Sequence, residues 1–132
     1  MLTVKLARIE SAMRLVLTFY EALNRHDVAG MMQLFSDDCL LESPGPAPAG
    51  AVYSGRGAVT RFWEDFFRES PQAHVEIEKI HGFGMQCIAR WRCEWVDAAG
   101  DRRYLRGVDL FQERGGLLCE QLSYVKGARG GE

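Results

Sequence analysis

Residues 85–126 read MQCIARWRCEWVDAAGDRRYLRGVDLFQERGGLLCEQLSYVK, and the period of this stretch decides the fold. From Met85 to Val96, residues Cys87, Ala89, Trp91, Cys93 and Trp95 fall on one face, while Arg90, Arg92 and Glu94 fall on the other. That alternation is the signature of a half-buried strand. Asp97 to Asp101 is a hairpin turn, Arg102 to Glu113 the next strand, Arg114-Gly115-Gly116 the next turn, and Leu117 to Lys126 the closing strand. Short turns between consecutive strands force antiparallel pairing. One strand earlier, Val75, Ile77, Lys79 and His81 alternate with His74, Glu76, Glu78 and Ile80. The second half of the chain therefore predicts a four-strand meander.

Upstream the period changes. Val59, Phe62, Trp63, Phe66 and Phe67 recur at helical spacing, predicting a helix over Gly55 to Glu69 that stops before Pro71. The prolines between Pro44 and Gly50 make a loop, and Cys39 to Glu42 before it reads as a first strand. Residues 3–24 predict a long helix, apolar around most of its circumference toward its C-terminal end and so buried on more than one side. Asp27 is placed to cap a short second helix running through Phe35, ended by Ser36-Asp37-Asp38. The order helix, helix, strand, helix, meander is an α+β arrangement with helices over one face of a twisted sheet. Residues 127–132 read as a frayed tail.

The chain has 132 residues, suited to one domain. Sixteen basic against eighteen acidic residues leave a net charge of −2, which argues against nucleic acid or an anionic membrane as the main partner. The opening MLTVKLARIE lacks the unbroken apolar run of a signal peptide, so a cytoplasmic protein is expected. Cys39, Cys87, Cys93 and Cys119 form no CxxC pair and read as reduced core thiols. His26 reads as a surface residue at a helix junction. His74 and His81, seven apart on a strand, are expected on opposite faces, so no metal site follows. No nucleophile triad, Walker loop or GxGxxG is present, Gly55-Arg56-Gly57 being a helix start, and no cofactor is expected.

Asp109 is the leading chemical candidate. It lies mid-strand on the same face as Leu105, Gly107 and Phe111, all uncharged. An ionised, unpaired carboxylate there would cost several kcal/mol, so the group needs a raised pKa or a partner. The alternative is a structural pairing with Arg90, Arg92 or a nearby tyrosine. Arg90, Arg92, Arg102, Arg103 and Arg106 fall on two paired strands and read as outer-face ion pairs with Glu76, Glu78 and Glu94.

Phe19-Tyr20-Glu21-Ala22-Leu23-Asn24, Asp27, and Met32-Gln33-Leu34-Phe35-Ser36-Asp37-Asp38 together resemble the opening of SnoaL-like and ketosteroid isomerase-like proteins. Gly55-Arg56-Gly57-Ala58-Val59 resembles their third helix, and Arg106 to Phe111 with Gly116 to Lys126 their closing hairpin. The resemblance covers about residues 10–126 and implies the nuclear transport factor 2-like fold, within a single domain over residues 1–126. That fold is a cone-shaped roll, a curved and mostly antiparallel sheet wrapped around a long N-terminal helix, with an apolar pocket at the wide end. It also implies a small hydrophobic ligand, cofactor-free isomerase, cyclase or dehydratase chemistry or a binding role without turnover, and a homodimer through the outer sheet face.

By the same resemblance Asp109 matches the pocket aspartic acid of ketosteroid isomerase, which donates a hydrogen bond to an oxyanion. The oxyanion tyrosine aligns with Phe19, which has no hydroxyl. Tyr20 is the neighbouring candidate, about 100° around the helix. The general-base aspartate aligns with Ser43, which is no base. Glu120, Leu122 and Tyr124 share the face that the resemblance makes the inner one, so Glu120 joins Asp109 and Tyr20 as a catalytic candidate. Phe19, Trp63, Phe67, Trp91, Leu122 and Tyr124 are the expected ligand contacts.

Overall fold

The computed structural model describes residues 2–46 and 48–126, with side chains from residue 12 onward. The expected tail, 127–132, lies outside the described residues. Two helices come first, α1 (Leu2–Asn24) and α2 (Val28–Met32). Strands β1 (Phe35–Ser43) and β2 (Ala51–Ser54) precede α3 (Arg56–Glu69), and β3 (His74–Phe83), β4 (Gln86–Val96), β5 (Arg102–Arg114) and β6 (Leu117–Lys126) complete the chain. The six strands form one sheet in the order β2-β1-β6-β5-β4-β3. All pairings are antiparallel except that of β1 with β6. This is the α+β roll expected from the sequence.

The second helix is shorter than expected. Asp27 caps it, its carboxylate accepting from the Gly30 N–H at 2.9 Å, but it ends at Met32 and Phe35 already begins β1. β2 is an addition to the expected elements. Gly50 closes the loop before it with φ of 77°, and a Cβ there would fall 2.0 Å from the Ser43 carbonyl, so only glycine fits. Arg56, at the start of α3, is fully engaged. Its guanidinium donates to the carbonyls of Met32 and Phe35 and to the Asp37 carboxylate, tying the helix to the turn beneath it.

α1 packs on β3 and crosses the concave face of the sheet. Asn24 fixes its end: the side-chain amide donates to the Val75 carbonyl at 2.8 Å and accepts from the Val75 N–H at 2.7 Å. His26 follows with φ of 57°, stacks on Phe67 at 4.3 Å and meets the Ala73 carbonyl at 2.8 Å, so it is half-buried and not a free surface residue. Fully buried Val16, Phe19, Met31, Phe35 and Leu118 make the base of the core.

Two bulges decide which side chains face inward. The β3–β4 register shifts between Ile77 and Lys79. Parity reverses there, so His74 and His81 both lie on the outer, exposed side rather than on opposite faces. The β5–β6 register shifts between Gln112 and Glu113, with Gln112 opposite Glu120 but Glu113 opposite Leu118. Leu118 and Gln121, three apart, are both buried inside. The outer face carries the arginines in ion pairs, Arg90 and Arg106 with Glu78, and Arg92 and Arg102 with Glu94. Arg103 is not on the outer face as expected: it stands opposite Trp95, on the same side of β5 as Leu105 and Asp109, and pairs with Asp97. Among the described residues no helix is long and apolar enough to cross a membrane.

Candidate functional site

Between α1, α3 and the concave sheet lies a cavity of about 550 Å³, within the usual range for small-molecule sites. α3 presents Phe62, Trp63 and Phe66 to it, and β4 presents Trp91, Cys93 and Trp95. Pro44, Gly45, Glu69 and Ser70 complete the lining from the proline loop and the end of α3. β5 contributes Leu105 and Asp109, and β6 contributes Gln121, Ser123 and Val125.

Asp109 is 4% exposed. Its Oδ2 accepts from the Tyr20 hydroxyl at 2.5 Å and from Gln121 Nε2 at 3.1 Å. Oδ1 finds no partner of good geometry. Burial pushes the carboxyl above its ordinary range, and Tyr20, Ser123, Trp91 and Gln121 oppose part of that rise. Tyr20 is pushed well above the usual phenol value, first by burial and then by the Asp109 charge. It therefore stays protonated and acts as a donor. With two donors on Oδ2, a proton on the neutral acid sits on Oδ1.

Buried polar atoms without partners concentrate here. Among the described residues they are Trp63 Nε1, Trp91 Nε1, Asp109 Oδ1, Gln121 Oε1 and Glu113 Oε1, and all but Glu113 belong to residues lining the cavity. Each such group costs about 1–3 kcal/mol unless something satisfies it. Glu113 instead holds the next turn, accepting from the Gly116 N–H at 2.7 Å.

Of the expected contacts, Asp109, Tyr20, Trp63 and Trp91 come together at the cavity. Phe19 does not. It is fully buried behind the cavity, edge-on to Tyr20, Phe35, Trp63 and Phe111. The cavity-facing side of α1 is thus that of Tyr20, one residue beyond the aligned position. Phe67 also stays outside, stacked on His26, while Phe62 and Phe66 take the lining positions. Glu120, Leu122 and Tyr124 lie on the outer face, paired with Gln112, Leu110 and Val108, and Tyr124 is 52% exposed. The bulge in β6 reverses the parity that Leu118 suggests. Gln121 and Ser123, which sequence reasoning passed over, occupy the inner positions instead. Ser43 lines the cavity at the position where the resemblance calls for a base, with its hydroxyl donated to the Gly45 carbonyl at 2.6 Å.

The model of the SnoaL-like domain family matches residues 16–121. Among solved structures, a nuclear transport factor 2-like protein of unknown function from Mesorhizobium loti is 30% identical, over 91% of this chain and 94% of that one, with a TM-score of 0.78. A Mycobacterium tuberculosis protein in complex with estradiol-17β-hemisuccinate is 21% identical, over 86% of this chain and 92% of that one, with a TM-score of 0.76. An epoxide hydrolase/cyclase-like enzyme of pyran ring formation in the polyether salinomycin is 16% identical, over 89% and 92%, with a TM-score of 0.78. A search of curated proteins found no match. The last two likenesses carry the fold alone, whereas the family model spans most of the chain, from the middle of α1 into β6. The chain belongs to the SnoaL-like domain family.

Proposed function

We propose that the chain binds a small, largely apolar molecule in this cavity, and that Asp109 exchanges a proton with it without a cofactor. One observation carries the reading: a single enclosed carboxyl, anchored by Tyr20 and Gln121 through Oδ2, keeps Oδ1 uncommitted. A raised pKa makes the carboxyl a stronger base when ionised than an ordinary carboxylate, so one group can both take and return a proton. In its ionised form Oδ1 removes a proton from a carbon beside a carbonyl. The C–H electron pair moves onto the carbonyl oxygen as an enolate, which a neutral indole N–H of Trp63 or Trp91 is suited to hold. The carboxylic acid then returns the proton to carbon at the same or another position. The steroid frame of the ligand bound by one relative and the cyclase-like chemistry of another fit a ligand of this size. A homodimer through the outer sheet face belongs to the same reading, with exposed Tyr104 and Tyr124 as contacts. Sedimentation equilibrium tests it, and a monomer at high concentration removes it.

The test of chemistry is hydrogen–deuterium exchange at the α-carbons of 2-acetonaphthone and androstenedione, followed by NMR. Wild-type protein should accelerate the exchange, and Asp109→Asn should lose at least about 100-fold, the low end of what acid–base catalysis contributes. An undiminished rate in that variant would remove Asp109 from the chemistry. Binding without exchange supports the second reading, a binding protein without turnover. The commitment of the Ser43 hydroxyl to Gly45, where a base is otherwise expected, favours that second reading.

A further inference from the structure

The charges on the cavity wall are all of one sign. Asp109 and Glu69 line it, and among the described residues no arginine, lysine or histidine does. Arg90, Arg92, Arg102 and Arg106 lie on the opposite face, held by Glu78 and Glu94, while Arg103, on the inner side opposite Trp95, is held by Asp97 and does not line the cavity. Aromatic rings stand on the wall beside aliphatic side chains: Tyr20, Phe62, Trp63, Phe66, Trp91 and Trp95. Aromatic faces carry partial negative charge and attract cations. Two buried acceptors on the wall residues, Asp109 Oδ1 and Gln121 Oε1, have no hydrogen bond of good geometry among the described residues, although Ser123 and Trp91 approach the Asp109 carboxyl.

We infer that the cavity is built for a cationic apolar molecule, a flat hydrocarbon frame bearing a protonated amine. This rests on the reading that the cavity takes a ligand, adds the charge of that ligand, and is independent of whether turnover follows. An ammonium group brings N–H donors to the acceptors that lack them. With one on Oδ1, the ionised Asp109 has both oxygens occupied, Oδ2 already receiving Tyr20 and Gln121. The indole N–H groups of Trp63 and Trp91 are neutral donors that a carbonyl or hydroxyl oxygen satisfies, and they do not offset two carboxylates. A carboxylate ligand would be desolvated beside like charges with no cation to receive it, which is strongly unfavourable. A neutral ligand falls between the two.

The experiment compares three ligands on one frame at pH 7.5: 2-naphthylmethylamine, 2-naphthalenemethanol and 2-naphthoate. All three tryptophans of the chain line the cavity, so their indole N–H resonances in ¹H–¹⁵N NMR report its occupancy. The amine should bind at least about 10-fold tighter than the carboxylate, a modest part of the Coulomb energy between close charges at a protein surface, with the alcohol intermediate. Glu69→Gln, at the exposed rim, should narrow the spread without disturbing the fold. Asp109→Asn combined with Glu69→Gln should bring the three affinities to within about threefold, as expected once no net charge remains on the wall. Equal or tighter binding of the carboxylate, or an order unchanged in the double variant, overturns the inference. If the alcohol binds but the amine does not bind more tightly, the inference alone falls. If none of the three binds, the ligand-binding reading falls with it.

Discussion

The indole of Trp91 lies directly over the backbone of Gly107 on the neighbouring strand, so close that a Cβ there would sit 2.5 Å from the ring. The same Cβ would come within 2.6 Å of the Tyr124 carbonyl, which belongs to the backbone and cannot swing aside. Gly107→Ala is therefore expected to destabilise by about 1–3 kcal/mol, the cost of overpacking a tight interior. It should also drive Trp91 toward the cavity. Urea denaturation should show the first effect, and weaker binding of a bulky ligand than of a small one the second.

Asp109 links stability to pH with a defined sign. Its folded-state pKa lies above the unfolded one, so the native state keeps the proton longer. Its contribution to stability therefore falls as pH rises from the ordinary carboxyl range through the raised value, and is level beyond it. Asparagine cannot ionise, and its carbonyl can still accept from Tyr20 and Gln121. Asp109→Asn should melt a few degrees above wild type at pH 8, about 1 kcal/mol being worth about 2–4 °C in a chain of this size. The gap should narrow toward about pH 4, where both side chains are neutral.

Tyr20→Phe removes the shorter of the two hydrogen bonds to Asp109. A bond to an ionised group is worth about 1.5–3 kcal/mol, and its loss should raise the Asp109 pKa further, measurable from the carboxyl carbon by ¹³C NMR. Adding Phe19→Tyr should not rescue the variant. Its ring is held edge-on among Phe35, Trp63 and Phe111, behind the cavity wall and not on it. Recovery of the Asp109 pKa in the double variant would show that the assigned faces of α1 are wrong.

Asn24→Ala takes both bonds from Val75, a buried residue, and releases the end of α1 from β3. A loss of about 2 kcal/mol is expected, two hydrogen bonds at about 1 kcal/mol each. A urea midpoint unchanged from wild type would show that the end of α1 is held by packing alone.

The meander was legible because its alternation is regular: Cys87, Ala89, Trp91 and Cys93 lie buried and inward as their spacing requires. Asp109 was legible because a charge among apolar neighbours stands out. β6 was misread for two physical reasons. Its bulge between Leu118 and Glu120 breaks the period of two, so a strand that begins with a core leucine ends with Tyr124 in solvent. The cavity also inverts the usual polarity, since Gln121 and Ser123 look like surface residues and face inward beside a buried acid. Four residues of β2 are too few to show a period, and their role comes from pairing with β1. Phe19 and Tyr20 are both aromatic and both buried, so hydrophobicity could not say which of them faces the cavity.

The parallel pairing of β1 with β6 carries a consequence for how the chain is made. Ribosomal synthesis delivers β1 before its neighbour β6, with β2 to β5 in between, so until β6 follows, the first strand is an open edge that only β2 flanks. Until β6 emerges, the anchor Gln121 is missing and the sheet is split into two unconnected ribbons. Closure of the roll thus waits for β6 and is governed by contacts between distant parts of the chain, the kind that folds slowly and exposes sticky edges meanwhile.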